Sequence, residues 1–281
     1  TNYPEFPWEL LHDGDSYLVL KHPLARQWLA PEFPPVGVGH ANGLWRSLLI
    51  GNPTQDLAQA NQEIEAVVEL IGSTPGAAVP RILMQARATK SAVLEQLVSG
   101  AYDLIHYSGH VISNLAHPAL SGLLLANGEI LTAREIQQNL SGQPLVFLNG
   151  CESGRGALSN PDEGGLHYLG QATQGLAGAI IQGGAQGFIG TFWPVQDSTS
   201  QAFALAFYRL ALQGETIGRA LQQARRNQAQ PFDPLWASYL FYGDPNGQLT
   251  RLEQRELRSV TVLAARLSGL RDLFTTGGLD Q

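Results

Sequence analysis

With 281 residues, 44% of them apolar and 15% charged, the chain can build a substantial core, which excludes a disordered polypeptide and fits one large domain with or without a small appendage. Its 24 acidic residues outnumber 17 basic ones, for a net charge of −7, and no dense Lys/Arg run occurs, so nucleic acid is not an expected partner. A single cysteine, Cys151, excludes an internal disulfide and a cysteine-rich zinc site, and fits a reducing compartment, most simply the cytoplasm.

Residue 1 is Thr rather than Met, which suggests a piece of a longer chain. Asn2 to Glu9 is Pro-rich and lacks the basic start of a secretory signal. Trp8 to Leu11 and Tyr17 to Leu20 flank Asp13-Gly14-Asp15, a pattern that predicts a small β-hairpin. The Pro/Gly-rich stretch 31–44 reads as a linker. An alternation of strands and helices follows. Trp45 to Ile50 is a strand ended by Gly51-Asn52-Pro53, and Leu57, Ala60, Ile64, Val67, Val68 and Ile71 recur at helical spacing. Arg81 to Met84 and Tyr102 to Tyr107 are further strands, with a helix marked by Val93, Leu94, Leu97 and Val98 between them.

Thr132-Ala133-Arg134-Glu135 is a capping box that opens a helix to about Leu140. Pro144 to Leu148 is a fourth strand. No Asp, Glu, Lys or Arg occurs between Glu163 and Asp197, but the Gly and Gln content there argues against a membrane span. That stretch reads as a buried helix (Leu166 to Ile181), a Gly turn at Gly183-Gly184, and a buried strand from Gly187 to Phe192. Helices from about Ser198 to Leu212 and from Glu215 to Gln228 precede a last strand, Ser238 to Tyr242.

This order predicts an α/β protein with a mainly parallel central sheet and helices on both faces, plus the small N-terminal hairpin and a C-terminal helix. The expected divisions are 1–44 (hairpin and linker), 45–248 (the main domain) and 249–281. In the last of these, Leu252, Leu257, Val260, Leu263, Leu267 and Leu270 mark an amphipathic helix that either packs back or leads to a further module.

In such sheets, sites form at the carboxyl ends of strands. Two ends are chemically loaded: His106-Tyr107-Ser108-Gly109-His110, and Asn149-Gly150-Cys151-Glu152-Ser153-Gly154. If those strands are neighbours, a His and the one Cys face each other across a crevice. A nearby imidazole lowers a thiol's pKa and shuttles its proton, and the surrounding glycines leave backbone N–H groups free for an oxyanion. A lone Cys after an apolar strand can equally be a small buried hydrophobe.

Those two segments, together with Gly190-Thr191-Phe192-Trp193-Pro194-Val195-Gln196-Asp197, resemble the CHAT family of caspase-like (clan CD) cysteine peptidase domains. Trp8-Glu9-Leu10-Leu11, Ser121-Gly122-Leu123-Leu124-Leu125 and Phe241-Tyr242-Gly243-Asp244-Pro245 extend the likeness over about residues 5–248. The resemblance implies a caspase-like fold and a Cys151–His110 dyad acting on peptide bonds, with the backbone N–H groups of Cys151 and Val111 as oxyanion donors. It implies no cofactor and no metal, a protein substrate, and control by an attached or separate sensor module in signalling or defence. The family usually has Gly or Ala where this chain has Val111, which would resist positive φ.

By analogy with separase-like proteases, Asp197 is a candidate for holding a basic P1 side chain, although an Asp there can also cap the following helix. Asn149 stands where many metacaspases have an Asp and is a candidate pocket residue. Glu152 is a candidate for repelling acidic P1 residues. His106, four residues before His110 on the same strand face and about 13 Å from it, does not share a metal with it and reads as a buried His bonded to backbone. The rival functions are a catalytically silent interaction module and an acyl transfer on the same dyad.

Overall fold

The computed structural model describes residues 6–27, 44–112, 114, 117–150, 175–192, 197–229 and 234–249. Its centre is a six-stranded sheet in the order β2-β1-β3-β7-β8-β9. The strands are β1 (Ser47–Gly51), β2 (Arg81–Met84), β3 (Leu104–Ser108), β7 (Leu145–Asn149), β8 (Gly187–Thr191) and β9 (Tyr239–Gly243). All neighbours pair in parallel except β8 with β9. Between β3 and β7 the chain makes a second, antiparallel sheet of β4 (Val111–Ile112), β5 (Gly122–Leu124) and β6 (Ile130–Thr132). The sequence pattern did not reveal this sheet, because strands of two and three residues are too short to show a period.

Strands β1, β3, β7 and β8 are buried along their whole length. Their continuous apolar runs follow from helices on both faces. Side chains alternate between those faces. Ile105, Tyr107, Val146 and Leu148 join a core with Val93 and Leu97 of α3 (Lys90–Ser99), Ile136 of α4 (Ala133–Asn139), and Leu176 and Ile180 of helix α5 (residues 175–182). Leu104, Leu145 and Phe147 face a second core with Ile64 and Val67 of α2 (Ala58–Gly72), Phe203 and Phe207 of α6 (Asp197–Ala211), and Leu221 of α7 (Ile217–Gln228). Ser108 and Asn149 lie on this second face by the same parity.

Local signals account for the helix ends. Thr132 accepts from the Glu135 amide at 3.2 Å while the Glu135 carboxylate accepts from the Thr132 amide at 2.9 Å, the capping box the sequence predicted. Thr89 caps α3, which stops at Gly100 with φ +62°. Gly184, with φ +110°, closes the turn after α5.

The expected N-terminal hairpin is corrected. Asp13 does make the turn, its carboxylate accepting from the amides of Asp15 and Ser16. Only one bridge, His12 with Tyr17, closes it. The flanking segments coil instead, as a 3-10 turn at Trp8–Leu10 and a short helix α1 (Leu18–Lys21). Coiling puts Tyr17 and Leu20 on one side, where they pack with Val19 against Trp236. The predicted C-terminal helix, the linker and most of the Leu166 to Ile181 helix lie outside the described residues. Among those described, no helix is long and apolar enough to cross a membrane.

The N-terminal segment is fastened to the free edge of β9. The Arg26 amide donates to the Phe241 carbonyl at 2.7 Å, and the Gly243 amide donates to the Arg26 carbonyl at 3.1 Å. The Arg26 guanidinium is buried with the fully buried Glu9 carboxylate, to which its Nε donates at 3.1 Å. Burial pushes the guanidinium pKa down, but the Glu9 bond and charge outweigh this and raise it. Removing one partner strands the other charge in a dry site. Arg26→Ala is therefore expected to lower unfolding free energy by about 3–5 kcal/mol in denaturant titrations, and Arg26→Met combined with Glu9→Leu to recover most of that loss.

Candidate functional site

Strands β3 and β7 are parallel neighbours in the middle of the sheet, and the register pairs Ser108 with Asn149. Both strands therefore end at the same level. The Gly109 amide continues the ladder by donating to the Asn149 carbonyl at 3.1 Å. One residue further along each chain stand His110 and Gly150. A Cβ added to Gly150 would lie 2.5 Å from Cγ2 of Val111 and 2.9 Å from the Gly109 carbonyl oxygen. Gly150 thus touches the residues on both sides of His110. Its own carbonyl accepts from the Thr191 hydroxyl at 3.2 Å. Cys151 and Glu152, which follow it, lie outside the described residues.

His110 is held from two directions. The buried Tyr107 hydroxyl lies 2.7 Å from the His110 carbonyl and 2.9 Å from that of Leu124, which fixes the backbone between β3 and the small sheet. On the other side, His110 Nε2 lies 3.0 and 3.2 Å from the two carboxylate oxygens of Asp56. Asp56 ends the turn that follows β1, and the Thr54 hydroxyl donates to it. That bond, and secondarily the one to His110, hold the Asp56 carboxyl below its usual range despite some desolvation. The turn is tied to β3 by the Asn52 amide, which donates to the Ser108 carbonyl at 2.8 Å.

Val111 opens β4 and pairs with Leu123. It is not among the residues with positive φ, so the strain expected from a β-branched side chain there is absent. Asn149 is buried, and its amide nitrogen donates to Glu63 at 2.6 Å and to the Ser200 carbonyl at 3.0 Å, while its oxygen accepts from the Tyr239 hydroxyl at 2.6 Å. Asn149 also lines a cavity that reaches His110. Asp197 is the first residue of α6, one turn before Ser200, and its side chain is outside the described set.

His106 is fully buried as expected, but its hydrogen bond is to a side chain rather than backbone, Tyr208 Oη at 2.9 Å from Nδ1, and the Glu63 carboxylate lies 2.9 Å from Nε2 without making a hydrogen bond to it.

Two residues escaped the sequence reading. Asp56 sits at the carboxyl end of β1, so the strand-end rule that found His110 and Cys151 also covered it. Glu63 is the one charged residue among the buried positions of α2, spaced with Ala60 and Val67 on the apolar face.

A sequence model of the CHAT domain matches residues 4–244. No curated protein matches the chain. Among solved structures, the Arg-specific cysteine proteinase gingipain R is similar at 13% identity and a TM-score of 0.49, over 73% of this chain and 47% of that one. Separase from Saccharomyces cerevisiae, in its complex with securin, is similar at 17% identity and a TM-score of 0.47, over 85% of this chain and 14% of that one. The pro- and mature domains of Porphyromonas gingivalis RgpB give 13% identity and a TM-score of 0.45, over 72% and 48%. The chain thus spans less than half the length of each.

The close approach at Gly150 has a measurable consequence. Gly150→Ala must push the end of β7 away from Val111 and the Gly109 carbonyl, an overpacking expected to cost about 1–3 kcal/mol in chemical unfolding. Adding Val111→Ala removes one of the two clashes and should restore part of the loss.

Proposed function

The chain belongs to the CHAT domain family, and on that premise we propose that it is a cysteine endopeptidase whose nucleophile is Cys151 and whose proton carrier is His110. The observation that carries the reading is the juxtaposition at the ends of β3 and β7. The residue before Cys151 packs against both neighbours of His110, so the chain position that precedes the thiol and the one that carries the imidazole stand at the same level of adjacent strands.

In the proposed reaction, His110 takes the Cys151 thiol proton and the thiolate attacks the carbonyl carbon of the scissile peptide. The C–N bond breaks, the proton goes to the leaving amine, and a thioester acyl-enzyme remains. Water, deprotonated by the same imidazole, then attacks the thioester and restores the thiol. The oxyanion is assigned to the backbone N–H groups of Cys151 and Val111. The unstrained backbone at Val111 supports that role, since no glycine is needed there.

Asp56 supports the assignment of His110. Its bond to Nε2 leaves Nδ1 as the nitrogen for the thiol and favours the imidazolium that forms during attack. Asp56 is a positioning residue, acting through His110. Its carboxyl is held below the usual value, so the contact is complete above about pH 4 and is lost only as pH falls through the lowered value.

The substrate is proposed to be protein, with Asn149, Asp197 and Glu152 near its P1 side chain and a preference for basic residues. Control by an attached or separate sensor module, in signalling or defence and in the cytoplasm, is the family's expected setting.

The test is a peptide library covering every P1 residue, incubated with the wild type and with Cys151→Ala and read by mass spectrometry. Cuts made by the wild type alone support the peptidase. Their absence, with and without the native partner, favours a silent interaction module, and products joined to an added amine favour acyl transfer. Asp197→Ala is expected to abolish cuts after Arg and Lys while the fold persists. Asp56→Asn is expected to lower kcat by roughly ten- to a hundredfold with little change in KM, as misplacement of the imidazole would.

A further inference from the structure

Val111 pairs with Leu123 across β4 and β5, and the Leu124 amide donates to the His110 carbonyl at 2.9 Å. In an antiparallel ladder, a bond between the residues that flank a pair marks that pair as the non-hydrogen-bonded kind. The N–H and C=O of Val111 itself therefore point away from β5, to the outer side of β4. Among the described residues nothing accepts from that N–H.

A backbone donor stabilises an oxyanion only if its direction is set before the charge develops. A peptide unit is planar, so the direction of an N–H follows from that of the carbonyl in the same unit. The carbonyl that shares a plane with the Val111 N–H is that of His110. It is held by two donors, the Leu124 amide at 2.9 Å and the Tyr107 hydroxyl at 2.7 Å. Leu124 belongs to β5 and Tyr107 to β3, so the plane is gripped from the small sheet and from the central sheet together.

The hydroxyl is itself placed with little freedom. Tyr107 is fully buried in the core with Val93, Leu97 and Ile136. The Leu124 carbonyl, 2.9 Å from Oη, is a second acceptor for the same proton. Burial raises the phenol pKa well above its usual value, so the proton is kept. Gly109 leaves the room: a Cβ there would stand 2.6 Å from Oη and 2.7 Å from Cζ. A phenylalanine ring would fill the same core space, so what the hydroxyl adds is its grip on the two carbonyls.

We infer that Tyr107 is a positioning residue for the oxyanion hole: through the His110 carbonyl it aims the N–H of Val111 at the developing oxyanion. The inference rests on the peptidase reading for Val111 as a donor, and it adds the side chain that holds that donor from behind.

The chain has one cysteine, so thiol reagents report on Cys151 alone. Two are compared on the full 281-residue chain. With p-nitrophenyl acetate, His110 takes the thiol proton and the sulfur bonds to the carbonyl carbon. An oxyanion forms, p-nitrophenolate then leaves, and a thioester remains. With iodoacetamide, the sulfur displaces iodide at a saturated carbon and no oxyanion forms. The ratio of the two rates separates the oxyanion hole from the dyad.

Tyr107→Phe is expected to slow acylation about tenfold, less than the roughly hundred- to thousandfold loss of a whole donor. The alkylation rate and its pH midpoint should stay as in the wild type. Tyr107→para-aminophenylalanine, which keeps a donor, should restore part of the acylation rate. Equal acylation by the wild type and Tyr107→Phe overturns the inference. So does a parallel fall in both rates, which a general structural loss would produce, or a wild-type ratio no higher than that of free cysteine. Should Tyr107→Phe fail to fold, Gly109→Ala keeps the ring and crowds the hydroxyl. It is expected to lower the ratio in the same way, and an unchanged ratio overturns the inference.

Peptide cleavage tests the peptidase separately. A ratio that depends on Tyr107, with no peptide cut, removes the peptidase and keeps the positioned oxyanion hole. Cleavage in which Tyr107→Phe lowers kcat about tenfold at constant KM supports both. Cleavage with an unchanged kcat keeps the peptidase and removes the role of Tyr107.

Discussion

The parallel register of β3 with β7 is the constraint on which the rest of the site depends. Pairing Ser108 with Asn149 ends both strands at one level and brings His110 beside Gly150. A slip of one residue would turn every side chain of β7 to the opposite face. Phe147 would leave the α2/α6 core, Leu148 would leave the α3/α5 core, and Asn149 would leave Glu63. Burial on both faces therefore specifies the register strongly, and the register places the chemistry.

Parity then decides which polar groups meet. His106 and Ser108 of β3 and Asn149 of β7 all point to the face covered by α2 and α6, where Glu63 accepts from Ser108 and Asn149 and lies 2.9 Å from His106 Nε2. Asn149 alone ties α2, the first turn of α6 and β9 to the end of β7. In a low-dielectric interior the hydrogen-bonded part of this network, centred on Asn149, holds its members rigidly. It gives the proposed nucleophile a fixed platform through Gly150, whose carbonyl is also bonded to Thr191.

The site gathers contributions from segments far apart in sequence. Asp56 comes from the turn after β1, His110 from the turn after β3, and Gly150 from the end of β7. Each lies at the carboxyl end of its strand, where a parallel sheet collects its functional loops. The buried Tyr107 hydroxyl and the Asn52 amide make this collection stiff, by fastening the two turns to β3 and to the small sheet. At the far side of the sheet, Arg26 and Glu9 close the free edge of β9.

The central strands and the helices α2, α3, α4, α6 and α7 were legible in the residue order to within a few positions. Apolar runs, helical spacing and the Thr132–Glu135 capping box are local signals that tertiary contacts did not override. The motifs around His110 and Cys151 pointed to the family for the same reason, since they are contiguous in the chain. The hairpin failed because Asp13-Gly14 specifies a turn but not the strands beside it, and packing against Trp236 favoured helical coils there. The β4–β6 sheet was invisible at two and three residues per strand. By itself, then, the sequence determined the α/β class, the burial of the sheet on both faces, and the family motifs that hold the candidate residues. The pairing of Asp56 with His110, and the gathering of Glu63, Ser108 and Asn149 around one cavity, were decided only by tertiary structure. They join positions up to 86 residues apart, and strand order and side-chain parity, which no local pattern encodes, are what bring them into contact.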